Sequence, residues 1–122
     1  MFRSSLAARL TALAVVVLAA AAVAVPASAR SHAALTTRVT VSATEFKFKL
    51  SRTSAPHGKV IFKLVNKGAT AHNFKIAGHK TKLVDPGGST TLTVTLAKGS
   101  YKYLCTVPGH AAAGMKGTFR AT

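Results

Sequence analysis

Tyr101-Lys102-Tyr103-Leu104-Cys105-Thr106-Val107-Pro108-Gly109-His110-Ala111-Ala112-Ala113-Gly114-Met115-Lys116-Gly117 is the stretch on which the reading of this chain turns. Its opening alternates, with Tyr101, Tyr103 and Cys105 on one side and Lys102 and Leu104 on the other. A period of two places successive side chains on opposite faces of a strand. Pro108-Gly109 then turns the chain, and Pro108 stiffens the turn because its ring fixes φ and removes an N–H. Ala111–Gly114 is small enough to fold back, and Gly117 opens a last short strand with Phe119 turned inward. The stretch therefore predicts strand, tight loop, strand. A thiol, an imidazole and a thioether sit on the loop, each pair separated by four residues.

The same period runs upstream. Val39 and Val41 alternate with Arg38, Thr40 and Ser42. Phe46, Phe48 and Leu50 alternate with Lys47 and Lys49. Val60, Phe62 and Leu64 alternate with Ile61, Lys63 and Val65. His72, Phe74 and Ile76 alternate with Asn73 and Lys75, and Leu92, Val94 and Leu96 with threonines and Ala97. Turn signals separate the runs: Ala55-Pro56-His57-Gly58, Asn66-Lys67-Gly68, Asp85-Pro86-Gly87-Gly88 and Ala97-Lys98-Gly99. Nothing after Pro26 has a helical period. Short strands at this spacing predict an all-β sandwich in a single domain.

Ahead of the strands lies a segment of another kind. Arg3 and Arg9 precede an apolar run, Leu10–Val25, broken only by Thr11. Pro26 follows, then Ala27-Ser28-Ala29, small residues suited to a signal peptidase. A run of sixteen residues is short against the about 20 a bilayer span needs. The expectation is a signal peptide at 1–29 cleaved after Ala29, a flexible lead-in at 30–37 and the folded domain at 38–122. The remaining 93 residues carry fifteen of the seventeen Lys and Arg and both acids, Glu45 and Asp85, for a net charge of about +13. Such a field attracts acidic proteins or anionic lipid surfaces. Nucleic acid is not expected, because the basic residues are scattered and no recognition helix is visible.

A domain this small benefits from extra stabilisation, and Cys105 is the only cysteine, so no internal disulfide is available. A metal would occupy the thiol and stabilise the fold. Two imidazoles, a thiolate and a weak axial thioether form the donor set of an electron-transfer copper site. The soft thiolate favours Cu(I), and imidazoles suit both oxidation states. Cys105, His110 and Met115 supply three donors. The second imidazole is His72, preferred because it opens an alternating strand. His32 lies in the loose N-terminal segment, and His57 and His79 lie in turn-like segments.

These motifs resemble those of a small bacterial cupredoxin, a member of the type 1 blue copper protein family. The resemblance covers most of Val39–Thr122 and rests on Glu45-Phe46-Lys47-Phe48, Asn66-Lys67-Gly68, His72-Asn73-Phe74 and Tyr101–Gly117. It implies a Greek-key β-sandwich with one type 1 copper ion at one end, held by His72, Cys105, His110 and Met115. It implies that Asn73 ties its loop to the cysteine loop through Thr106. It also implies that His110 is the ligand nearest the surface, so the small residues around it would form the electron port.

The resulting expectation is an exported monomer, periplasmic, on the cell surface or extracellular, that shuttles single electrons and is not an enzyme. An acidic redox protein would dock near His110, and an anionic membrane surface could hold the protein weakly. A copper carrier is the alternative, although Met1 and Met115 are the only methionines. A multicopper oxidase would need His-x-His pairs, which are absent, and a haem protein would need Cys-x-x-Cys-His.

Overall fold

The computed structural model describes residues 14–23 and 35–122, which fall in two separate units, Met1–Ser31 and His32–Thr122. In the first unit, residues 14–23 have no regular secondary structure, and Val15, Val16, Val17, Leu18 and Val23 are exposed. Among the described residues no helix is long and apolar enough to cross a membrane. The expected cleavage point after Ala29 lies outside the described residues, as does 30–34 of the lead-in.

The described residues of the second unit form nine strands: β1 (Thr37–Thr44), β2 (Lys47–Leu50), β3 (Ser54–Ala55), β4 (Gly58–Asn66), β5 (Lys75–Ile76), β6 (His79–Lys80), β7 (Ser89–Leu96), β8 (Gly99–Leu104) and β9 (Lys116–Ala121). One sheet has the order β2-β1-β4-β7 and the other β3-β9-β8-β5-β6. The chain passes repeatedly from one sheet to the other, as a Greek-key sandwich requires. β1 pairs parallel with β4, with Val39 opposite Phe62 and Val41 opposite Leu64. Parallel neighbours need a crossover, and β2 and β3 supply it. β7 closes the sheet antiparallel to β4 over eight residue pairs.

The alternation of the sequence becomes the inside and outside of the sandwich. Val39, Val41 and Ala43 of β1 and Val60, Phe62 and Leu64 of β4 share one buried core with Phe74, just before β5, and with Ile76, Phe119 and Ala121 of the opposite sheet. Phe62 joins the two layers, edge-on to Phe119 at 5.2 Å and tilted against Phe74 at 5.2 Å. Phe62 is fully buried, so Phe62→Ala would cost about 3–5 kcal/mol.

Three departures from the alternation occur close together. Phe46 lies in the turn between β1 and β2 rather than in a strand, and is exposed. The strand expected from His72 is reduced to Lys75–Ile76, with His72 in an isolated bridge to Val84. His72, Asn73 and Phe74 are all buried, because Asn73 points to a partner inside the protein rather than to water. Two smaller differences are that β1 takes in Thr37, which pairs with Val60, and that His79 belongs to the short strand β6 rather than to a turn.

Candidate metal centre

Two backbone devices meet at one end of the sandwich. The first is the loop after β8. The Cys105 amide donates to the Met115 carbonyl at 3.0 Å, the His110 amide to Val107 at 3.1 Å, and the Met115 amide to His110 at 3.1 Å. These bonds return the loop to its own start, so Cys105, His110 and Met115 share one small closed ring of chain. Gly114 makes the return feasible. Its φ is +124°, and a Cβ there would lie 3.2 Å from the Phe46 carbonyl oxygen. An L side chain would be strained at that φ and crowded at that distance.

The second device holds His72. Its amide donates to the Val84 carbonyl at 3.1 Å, and its carbonyl accepts from the Val84 amide at 2.8 Å. Buried Asn66 secures the preceding loop: its Nδ2 donates to the carbonyls of Thr70 (2.7 Å) and Val84 (2.8 Å), and its Oδ1 accepts from the Gly68 amide at 2.9 Å. On the other side, Thr81 Oγ1 accepts from the Phe74 amide at 3.1 Å and donates to the Lys82 carbonyl. A buried polar side chain with all its partners satisfied fixes the chain around it.

The two devices are tied directly. Asn73 Nδ2 donates to Thr106 Oγ1 at 2.6 Å, and the Thr106 amide donates to Asn73 Oδ1 at 2.7 Å. This is the link between loops expected from the resemblance.

The result is a convergence of donors. One ligand atom each from His72, Cys105 and His110 lies within 4.8 Å of the others, the three-residue group of metal-binding type found among the described residues. His72 Nδ1 is 3.2 Å from His110 Nδ1, and Cys105 Sγ is 3.6 Å from His110 Nδ1. One ion spans separations of this size at the lengths first-row metals take, about 2.0–2.1 Å to imidazole nitrogen and about 2.3 Å to thiolate sulfur. His72 and Met115 are fully buried, Cys105 is 1% exposed, and His110 is half-buried. Of the other histidines, His57 Nδ1 bonds to the Thr122 carbonyl, His79 is exposed in β6, and His32 lies outside the described residues.

The chemistry of the donors discriminates further. Two ring nitrogens and a thiolate beside a thioether suit copper better than the hard cations, which take oxygen. No carboxylate belongs to the converging group.

The β1–β2 turn covers both rings. Phe46 lies edge-on to the His110 ring, centroids 5.0 Å apart. Glu45 reaches the other: its Oε1 is 3.1 Å from His72 Nε2. The same oxygen accepts from the Thr70 amide (2.9 Å), the Ala69 amide (2.8 Å) and Thr70 Oγ1 (3.0 Å). The Thr70 amide chiefly, and then the other donors, outweigh desolvation and lower the Glu45 pKa from 4.5 to about 2. Neither the Glu45 contact nor the anchoring by Asn66 was foreseen from the sequence. The available signal was that Glu45 is one of only two acids in a strongly basic chain.

Known proteins resemble this chain in sequence and in structure. Auracyanin-B of Chloroflexus aurantiacus is 49% identical over 43 residues, which are 34% of this chain and 18% of that protein. The match therefore spans less than a fifth of the curated relative. The structure of reduced auracyanin from the photosynthetic bacterium Roseiflexus castenholzii aligns over 71% of this chain and 96% of its own, with 26% identity and a TM-score of 0.57. Auracyanin A, described as a "blue" copper protein from Chloroflexus aurantiacus, shares the fold, with a TM-score of 0.61 and 20% identity over 72% of this chain and all of its own. A family model described as a cupredoxin-like domain matches residues 13–118, most of the chain, and the protein belongs to that family.

Proposed function

We propose that this protein carries single electrons through one type 1 copper ion held by His72, Cys105, His110 and Met115. The observation that carries the reading is the convergence of one ligand atom each from His72, Cys105 and His110, the last two on a loop closed by its own hydrogen bonds. Bound there, copper supplies a one-electron Cu(II)/Cu(I) couple. The protein's part is to keep the donors in place. Val84, Asn66 and Glu45 hold His72, Asn73 and Thr106 hold the two loops together, and the Cys105–Met115 backbone bond holds the loop closed. Donors that do not move when the charge changes keep the reorganisation small.

His110 is the proposed port. Pro108, Gly109, Ala112 and Ala113 around it are exposed and uncharged, so a partner's cofactor can approach closely with little desolvation cost. Lys80 and Lys82 flank Pro108 and Thr106 across a shallow depression. They would steer an acidic redox partner and add little to its final affinity. Association should then slow as salt is added, because screening shortens the range of the attraction. Export of a monomer after cleavage at Ala29 accords with an oxidising compartment and a lone cysteine. An anionic membrane surface would be a weak secondary site for the basic chain.

The test is a titration of the metal-free protein with Cu(II). An intense thiolate-to-copper band in the visible and a reversible one-electron couple are expected. Colourless, electrochemically silent protein would defeat the reading. Tight copper binding without a reversible couple would make it a carrier instead.

A further inference from the structure

We infer that Glu45 is a positioning residue for the copper site, setting the tautomer of His72 and favouring Cu(II) over Cu(I). The inference rests on the copper reading above and extends it to a residue outside the donor set. His72 is fully buried, and its two ring nitrogens face different neighbours. Nε2 is 3.1 Å from Glu45 Oε1, and Nδ1 is 3.2 Å from His110 Nδ1. A carboxylate only accepts, so in a neutral ring, the form that binds a metal, the proton belongs on Nε2. Nδ1 is then left bare toward the convergence of donors. A metal-ligating imidazole that donates its other N–H to a carboxylate becomes a more basic ligand. A more basic, negatively backed imidazole favours the ion of higher charge.

The carboxylate itself is held. Oε1 takes the amides of Ala69 and Thr70 and the Thr70 hydroxyl as well as the His72 ring. Gly68 leaves room for it: a side chain there would run into the Glu45 carboxyl group. Gly68 has no left-handed backbone, so its lack of a side chain serves this space rather than a turn. The loop before His72 therefore holds the carboxylate on the ring as well as directing the ring into the site.

The test compares variants by reduction potential, with a second readout on protein that need not turn over. Glu45→Gln keeps an acceptor oxygen for the loop amides and removes the charge. It should weaken Cu(II) binding about tenfold relative to Cu(I), at the low end of the usual cost of losing such a partner, and so raise the potential by about 59 mV. Gly68→Ala, which displaces the carboxylate without altering any charge, should shift it in the same direction. A change below about threefold in the Cu(II)/Cu(I) ratio in copper-loaded Glu45→Gln overturns the inference. Nitrogen-15 spectra of metal-free and Cu(I)-loaded wild type should place the His72 proton on Nε2. A proton on Nδ1 in the metal-free protein also overturns it, whether or not either variant folds. Wild type with a reversible couple that Glu45→Gln leaves unmoved sinks this inference alone. Wild type with no couple sinks the copper reading on which it stands.

Discussion

The two imidazoles of the site stand in opposite surroundings. His72 is sealed in, with both faces of its backbone paired to Val84, one ring nitrogen on a carboxylate and the next residue bonded across to Thr106. His110 is half-buried on a loop of alanine and glycine, with the edge of Phe46 against its ring and one nitrogen near His72 and Cys105. The buried ring is fixed by polar bonds of long sequence separation, and the outer ring by the closure of a short loop. Precision and access are thus divided between two ligands of the same chemical type.

The sharpest way to break this comparison is to delete each ring. His72→Gly opens a sealed cavity and leaves Glu45 without its ring partner. It should abolish the visible copper band, and added imidazole should not restore it. His110→Gly opens a gap at the surface, and imidazole added from solution should fill it and bring back the band. Restoration of both variants alike, read by absorption, would erase the distinction between sealed and open ligands.

Asn73→Ala should have the next largest effect. It removes both bonds to Thr106, and denaturant unfolding of the metal-free protein should show a loss of about 1–3 kcal/mol. The copper band should shift as the two loops part.

Phe46→Ala removes the aromatic edge from His110 and should cost only about 0.5–1.5 kcal/mol. Its clearer mark should be faster electron exchange with small reagents, measured by stopped flow, because the outer ring becomes more open while the inner one is untouched.

The smallest effect concerns pH. The Glu45 pKa falls from 4.5 to about 2 on folding. Its contribution to stability is therefore complete above about pH 4.5 and is lost as pH falls through about 2. Unfolding of metal-free protein followed across that window should slope downward toward acid, and Glu45→Gln should flatten the slope.

Much of the sandwich was legible from alternation. In β1 and β4 every inward residue except Asn66 at the end of β4 is apolar and most outward ones are polar or charged, and a period of two survives any tertiary arrangement. The loop from Cys105 to Met115 was legible for a similar reason, since covalent spacing limits how far apart its donors can lie. Alternation misled where strands end. Phe46 continues the period of Phe48 and Leu50 but turns away to meet His110, and Asn73 keeps the period of its neighbours but faces inward. Periodicity carries no information about which residue a turn or a side-chain bond will claim.

The amino-acid order by itself determined a basic all-β chain with one thiol and the spacing of three donors around it, because both are local properties of a short segment. Only the tertiary structure decided that His72 joins them, that Glu45 backs it from 27 residues away, and that one ring is sealed while the other faces out. Those outcomes depend on where separate strands meet, and the free energy of that meeting is shared by the whole core rather than written at any one position.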